Sequence, residues 1–355
     1  MCNLSSGSQL SLGWEAFMNL GFWEKLKKPA RHASQLAGVA GRPIMVLAPL
    51  ADVTDAAFRE LIAKYGKPDV FWTEFVSVDG LNSEGLSRLL VDFWYGENEH
   101  PIVAQIFGSN PENFYKAAKL IKELGFDGVD INMGCPVKKI LNQKACSALI
   151  KTPALAQEII HATKEGAGEL PVSVKTRIGF NKIEIDTWLP TILKTEISVL
   201  TVHLRTVKEM SKVPAHWEVM RQITDIRDQI SKETLILGNG DVANLAEAEQ
   251  KVAETGCDGI MIGRGIFGNP WLFSRKPQIS LSERLKVMIE HTKLFEQKFA
   301  GIKSFETMKK HYKAYVNGFD GAKELRVKLM ETQNAKEVEE IVESAIITSA
   351  INKNI

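Results

Sequence analysis

The segment Asp127-Gly128-Val129-Asp130-Ile131-Asn132-Met133-Gly134-Cys135-Pro136 runs from a short apolar stretch into a loop that carries an amide, a glycine, a thiol and a proline. Pro136 fixes its own backbone and biases Cys135 away from helix. Gly134 permits a conformation or a close approach that other residues resist. A turn of this kind holds a sulfur out at the end of a strand. Taken alone, the segment fits a βα turn with an incidental buried cysteine equally well.

Other apolar runs end in the same way. One ends in Ala48-Pro49-Leu50-Ala51 and another in Thr73-Glu74; a third runs into Gln105. Further runs end in Lys175 and Arg177, in His203 and Arg205, in Asn239-Gly240-Asp241, and in Gly263-Arg264-Gly265. A purely structural array has no need of buried Lys, His, Gln and Asn side chains at one mouth, so the series points to one convergent site. The last two endings are Gly-flanked turns before helices, whose backbone N–H groups suit a phosphate, and Arg264 adds a charge-assisted contact. Lys175 in the mouth would place a cation where the reduced ring of a flavin carries negative charge; the alternative is an ion pair with Glu74 or Asp130. His203 suits a phosphate or a substrate carbonyl, or is simply a satisfied hydrogen-bonder.

The elements that would position these residues alternate along the chain. β-branched runs recur at Ile44–Ala48, Val70–Thr73, Ile102–Ile106, Gly128–Ile131, Val172–Thr176, Val199–Val202, Leu235–Leu237 and Gly259–Ile262. Amphipathic helical patterns lie between them. Asn113–Leu124 is one such pattern. Thr152–Glu165 is another, with Thr152 as N-cap and Pro153 at the first helical position. Eight strands alternating with helices over roughly 230 residues is the arithmetic of an α/β fold of the (β/α)8 TIM-barrel type, whose chemistry lies at the C-terminal ends of the strands. A doubly wound sheet is the alternative that periodicity does not separate. Residues 43–277 are assigned to the barrel and residues 1–42 to an extension or cap with helical turns at Trp14 to Met18 and Phe22 to Leu26.

Beyond Pro270 the strand signal ends. Helices are expected over Leu281–Phe299, Ser304–Asn317, Ala322–Thr332 and Ala335–Ser349, so residues 278–355 form a small helical domain. Gly301 to Met330 is locally basic, with His311, Tyr312 and Tyr315 interleaved; the bland reading is a solvated helix face.

Composition narrows the class. With 355 residues, 45% hydrophobic, 25% charged and a formal net charge of +1, the chain has an ordinary globular balance. Any basic surface is therefore local. The 4 cysteines show no paired spacing and no clustering with His, which argues against a zinc or iron–sulfur site and against a disulfide scaffold. A reducing cytoplasm is the simplest setting. No apolar run reaches the roughly 18 residues of a membrane span, and the N-terminus lacks the pattern of a signal peptide.

These motifs together resemble the FMN-dependent tRNA-dihydrouridine synthase family. Leu47-Ala48-Pro49-Leu50-Ala51-Asp52-Val53-Thr54-Asp55-Ala56-Ala57-Phe58-Arg59 is similar to its opening motif. Asn132-Met133-Gly134-Cys135-Pro136, followed by Lys138-Lys139, is similar to its catalytic loop. Val174-Lys175-Thr176-Arg177, His203-Leu204-Arg205-Thr206, Asn239-Gly240-Asp241 and Gly263-Arg264-Gly265 follow in order. Lys309-Lys310-His311-Tyr312 and Gly318-Phe319-Asp320-Gly321 resemble its helical RNA-binding domain. The resemblance spans roughly Phe22 to Met330.

The resemblance implies reduction of selected uridines in tRNA, with FMN as resident cofactor and NADPH as electron source. A hydride would pass to C6 of the uracil, and Cys135 would protonate C5 as general acid. Pro49, Leu50, Gln105, Lys175, His203, Asn239, Gly240, Gly263 and Arg264 are expected to bind FMN. Asn132 would orient the uracil. Lys138, Lys139, Arg177, Arg205, Lys309, Lys310, His311 and Arg326 are expected to face the tRNA. No metal and no membrane partner are implied, and a large RNA partner fits a monomer. Leu50, Asp52 and Cys146 depart from the family pattern, which favours Met, Gly and Gly there. Cys146 would crowd the loop and supplies a second thiol, and the stretch Ala30 to Arg42 reads as an insertion. Two alternatives stay open: a flavin oxidoreductase acting on a free small molecule, of the dihydroorotate type, and an RNA-binding factor with a degenerate site.

Overall fold

Eight parallel strands form one sheet: β1 Ile44–Leu47, β2 Phe71–Ser77, β3 Ile102–Phe107, β4 Gly128–Met133, β5 Val172–Arg177, β6 Val199–His203, β7 Leu235–Asn239 and β8 Gly259–Ile262. The computed structural model describes residues 20–27, 42–276 and 278–352, with side chains to residue 346. The turn expected over Trp14 to Met18 and nearly all of the Ala30–Arg42 insertion lie outside these residues.

Pairing runs β1-β8-β7-β6-β5-β4-β3-β2. The ring closes through a parallel bridge between Val46 and Val70, where Asp69 N donates to Met45 O at 2.8 Å. An open doubly wound sheet would leave two edges, whereas β1 is partnered on both sides. Closure also accounts for the continuous apolar runs, since strands covered on both faces need no alternation. Ile44, Val46, Trp72, Val103, Val199, Leu235, Leu237 and Met261 fill the barrel interior. A 3-10 turn over Gly21–Lys25 brings Trp23, only 1% exposed, into the same cluster. That turn sits beside Pro171, just ahead of β5, at the end of the barrel opposite the strand C-termini.

Local chemistry sets the helices. Helix α1, Ala56–Gly66, starts where the Asp55 side chain accepts from Phe58 N. Helix α2, Pro111–Glu123, starts where Asn110 accepts from Glu112 N and Asn113 N. Helix α3, Pro153–Ala167, has its proline at the expected first position, but Thr152 makes no side-chain cap bond. Its backbone alone occupies the N-cap position, at φ −132° and ψ 67°. Helices α4 Ile185–Leu193, α5 Met220–Ile230 and α6 Leu245–Thr255 complete the outer layer.

Strand β2 runs longer than its apolar signal and shifts register against β3 between Trp72 and Phe75. One extra residue there re-aims a side chain. The carboxylate of buried Glu74 accepts from Asp52 N and pairs with Lys303 at 2.9 Å. Glu74 is thus partnered by Lys303, not by Lys175.

Four helices follow the barrel: α7 Leu281–Phe299, α8 Glu306–Tyr315, α9 Ala322–Glu331 and α10 Ala335–Asn352. They dock on α1, where Phe58 stacks on His291 with ring centroids 4.6 Å apart. Lys64 and Tyr65 both reach Glu290, and Lys298 reaches Glu60. Beneath this contact, fully buried Arg59 donates to Glu99 at 2.6 Å and to Thr54 O at 2.6 Å, and also to Trp94 O.

Removing one member of a buried ion pair strands the other, at a cost of roughly 3–5 kcal/mol. Arg59→Met is therefore expected to lower unfolding free energy by about that amount in urea titration, and Glu99→Gln in the same background should recover part of it. A loss within experimental error would show that the pair adds nothing net.

Candidate active site

The site begins with a carboxylate that has no access to water. Asp130 on β4 is fully buried and accepts from Gln105 Nε2 at 2.6 Å and from Ser173 Oγ at 2.5 Å. Burial pushes its pKa up to about 6. An ionised carboxylate only accepts, so Gln105 must present its NH2 group to it and turn its oxygen the other way. That oxygen receives Asn132 Nδ2 at 2.9 Å. Asn132 must in turn aim its own oxygen at the loop, where it accepts from Gly134 N at 3.0 Å and Cys135 N at 3.1 Å. A one-way relay of amides thus sets the backbone that carries Cys135.

Two further bonds hold this loop. Arg177 Nε donates to Gly134 O at 2.7 Å, and Ser147 Oγ donates to Cys135 O at 2.7 Å. The second contact brings the 3-10 turn Cys146–Lys151 against the loop. Cys146 is its first residue, buried and at φ +53°. Asp52 likewise stands at φ +54°. Both are positions where the family pattern favours glycine, and a left-handed backbone is the physical reason for that preference. The crowding expected of Cys146 takes a specific form: its buried thiol lies within electrostatic reach of that of Cys135. This proximity, followed by the Val137 backbone amide and the charges of Arg177 and Lys175, lowers the Cys135 pKa to about 6. Burial raises that of Cys146 well above the ordinary thiol value.

The opposite wall is basic. Lys175 projects from β5, and its Nζ lies 3.3 Å from the neutral Asn239 Oδ1. Burial, then the nearby Arg177, lowers its pKa to about 8. Asn239 is steered by its own amide, which donates to Met261 O at 2.8 Å. His203 Nε2 accepts from Arg205 Nη1 at 3.1 Å. Burial and the surrounding Arg177, Lys175, Arg205 and Arg264 charges hold this imidazole far below its usual pKa, so it is neutral with the proton on Nδ1. Asp241 bridges Arg205 and Arg264, the latter at 2.6 Å. Gly240, at φ +137°, has no room for a side chain, since a Cβ would lie 2.8 Å from Ala215 Cβ.

These groups enclose a cavity of about 320 Å³ at the C-terminal ends of the strands. Pro49, Leu50, Asn132, Cys135, Lys175, Arg177, His203, Arg205, Asn239, Gly240, Gly263 and Arg264 all line it. Gln105 does not; it lies a layer deeper, wholly buried, and acts on the cavity through Asn132. Lys138 and Lys139 are exposed on a short helix, Lys138–Leu141, just beyond Cys135. Of the C-terminal basic residues, Lys310 alone among the four expected there is exposed, 3.8 Å from Asp52 at the rim. Lys309 is buried against Glu306, and His311 is buried between Phe58 and His291. Both were expected at an RNA-facing surface, and helix packing removes them from it. Arg326 is half-buried and donates to Val316 O at 2.7 Å.

Some site residues were not singled out in the sequence. Asp241 closes the Asn239-Gly240-Asp241 turn, and the signal for it is that two arginines at neighbouring strand ends call for a counter-charge. Phe75 and Ser211 also line the cavity, and neither carries a local signal. Among the described residues, no group of three or more His, Cys, Asp or Glu side chains is arranged to hold a metal ion.

Residues 46–351 match the family model described as dihydrouridine synthase. The chain is 42% identical over 306 residues to a probable tRNA-dihydrouridine synthase of Staphylococcus aureus strain Mu50, covering 85% of this chain and 93% of that one. It is also 42% identical over 306 residues to probable tRNA-dihydrouridine synthase 2 of Bacillus subtilis strain 168, covering 85% and 94%. Among solved structures, an old yellow enzyme homologue from Zymomonas mobilis aligns with a TM-score of 0.47 at 14% identity, covering 67% of this chain and 90% of that one. With the family model spanning most of its length and relatives matched nearly end to end, the chain belongs to the dihydrouridine synthase family.

Proposed function

We propose that this chain reduces selected uridines of tRNA to 5,6-dihydrouridine, holding FMN in the barrel mouth and drawing electrons from NADPH. One observation carries the reading: a half-exposed thiol with a lowered pKa and a partly buried ammonium face the same cavity.

The cavity fits a flavin phosphate on its own evidence. Lys175 is a partly buried cation with a neutral amide as its hydrogen-bond partner, and an anionic ring edge would complement it. Gly263 leaves backbone open, with the nearest atom to a Cβ there 3.7 Å away, beside Arg264, whose side chain is 66% exposed and pairs with Asp241 through one nitrogen, leaving its other donors for an anion. Lys175 would therefore hold the ring edge; His203, Gly240, Gly263 and Arg264 the phosphate; and Pro49 and Leu50 a face of the ring. Reduced FMN, when bound, supplies the hydride that reaches C6 of uracil.

The chain's own residues do the rest. Cys135 donates the proton that C5 requires, and the amide relay from Asp130 keeps its backbone from drifting. Arg177 holds the carbonyl of Gly134 and lowers the thiol pKa. A target base must leave its stack to enter such a mouth. Exposed Lys138 and Lys139 follow the Cys135 loop, exposed Lys310 and Lys313 lie one turn apart on α8, and all four suit phosphates.

The reaction is tested on tRNA lacking dihydrouridine, incubated with the chain and NADPH and analysed by nucleoside mass spectrometry. A gain of two hydrogens on uridine is expected, with Cys135→Ala lowering the rate by about 10²–10⁴-fold. No gain with a flavin-loaded chain would overturn the reading, and full activity of the variant would overturn the assignment of the acid.

The pH dependence has a definite sign. A thiol with a lowered pKa holds its proton only below about 6, so single-turnover rates should fall as pH rises through that value. Cys146→Gly removes the largest cause of the lowering, and the falling limb should move to higher pH. An unmoved limb would exclude Cys135 as the titrating acid.

Binding should respond to surface lysines and not to buried ones. Lys310→Ala and Lys313→Ala are each expected to weaken tRNA binding and to flatten the slope of log affinity against log salt by about 0.7–0.9. His311→Ala should lower unfolding stability and leave that slope unchanged. A slope that responded to His311→Ala and ignored both lysines would reverse the assignment.

A further inference from the structure

The catalytic loop and the turn after it hold two thiols where the proposed reaction uses one. Cys135 is half-exposed and lines the mouth. Cys146 is fully buried, one residue from the Ser147 that bonds the Cys135 carbonyl, and the two thiols lie within electrostatic reach of one another. The Ser147 Oγ–Cys135 O bond at 2.7 Å clamps the two backbone segments together across the intervening loop, residues 136–145. Arg177 and Lys175 place positive charge near the Cys135 sulfur. The pair divides two tasks. One sulfur is accessible and readily ionised, which suits attack on an oxidant. The other is shielded from solvent and so spared oxidation until its neighbour has reacted.

We propose that Cys135 and Cys146 form a reversible redox pair that hydroperoxide closes to a disulfide. In the first step the Cys135 thiolate attacks one peroxide oxygen. The O–O bond breaks, hydroxide leaves, and Cys135 becomes a sulfenic acid. In the second step the Cys146 sulfur attacks the sulfenic sulfur and the S–O bond breaks. The departing hydroxide takes the Cys146 proton as water, and an S–S bond forms. Together the thiols lose two electrons and two protons, and with them hydrogen peroxide becomes two waters. A reducing dithiol reverses the change by exchange, becoming a disulfide itself. The closed pair has no thiol proton, so it also stops proton delivery to uracil. That consequence rests on the proposed function; the disulfide itself does not.

Lysines at 138 and 144 allow trypsin to place the two cysteines on separate peptides, so the bond can be read directly. The full chain as purified is treated with a few equivalents of hydrogen peroxide, alkylated and digested. The expected product is a cross-linked pair of peptides, lighter than their sum by two hydrogens and absent after dithiothreitol. Dihydrouridine formation should fall and return in step with it. Cys146→Ser should yield no such pair, and its Cys135 should proceed to the sulfinic acid that dithiothreitol does not restore. Wild-type Cys135 that stays alkylatable or turns sulfinic without cross-linking would overturn the redox pair. So would a Cys146→Ser chain that recovers as fully as wild type. A cross-link that forms while dihydrouridine production continues would support the pair and remove Cys135 from the role of acid.

Discussion

Asp130 sets the polarity of the barrel mouth. A carboxylate sealed from water must be satisfied by donors, and here Gln105 and Ser173 supply them. Because an amide has one donating and one accepting end, the demand passes outward through Gln105 to Asn132 and on to the backbone of Gly134 and Cys135. Each hand-off removes a rotational choice that the next group would otherwise have. The order of the mouth is therefore purchased in the core, by residues that never touch a ligand.

The same economy of partners governs the basic wall. Lys175, Arg177, His203 and Arg205 lie on adjacent strand ends. Packing this many basic groups together would repel them, and the structure relieves it in three ways. His203 stays neutral, Arg177 spends its donors on backbone carbonyls, and Asp241 bridges two guanidinium groups. Lys175 has an amide as its hydrogen-bond partner and no salt bridge, which makes it the position in the wall best suited to an incoming anion.

Much of this was legible from residue order. Strand runs, their polar endings and the barrel count follow from β-branched repeats, because a doubly covered strand must be apolar throughout. Most of the cavity-lining residues followed from one rule, that strand C-termini converge; Phe75 and Ser211 did not. Other features left no local trace. Glu74 sits in a register shift that only pairing with β3 creates. Lys309 and His311 read as a basic face because composition does not reveal which side of a helix packs; His311 is buried because Phe58 and His291 stand against it. The departures at Asp52 and Cys146 were visible as letters. Their meaning, a left-handed backbone carrying a side chain, needed the dihedral angles.

Lys303 reaches from the C-terminal helices to Glu74 at 2.9 Å and Asp92 at 2.7 Å, and Glu74 in turn receives the backbone of Asp52. Pulling those helices away would strand a buried carboxylate, so the join behaves as a rivet rather than a hinge. Lys310 on one side and Cys135 on the other then belong to a single stiff frame. Under the proposed function such a frame would act as a ruler: a strand gripped at Lys310 would offer to the thiol only the unit that lies a set reach away. On this geometry, selection among chemically identical units along a strand would come from length, with no contact to neighbouring bases required.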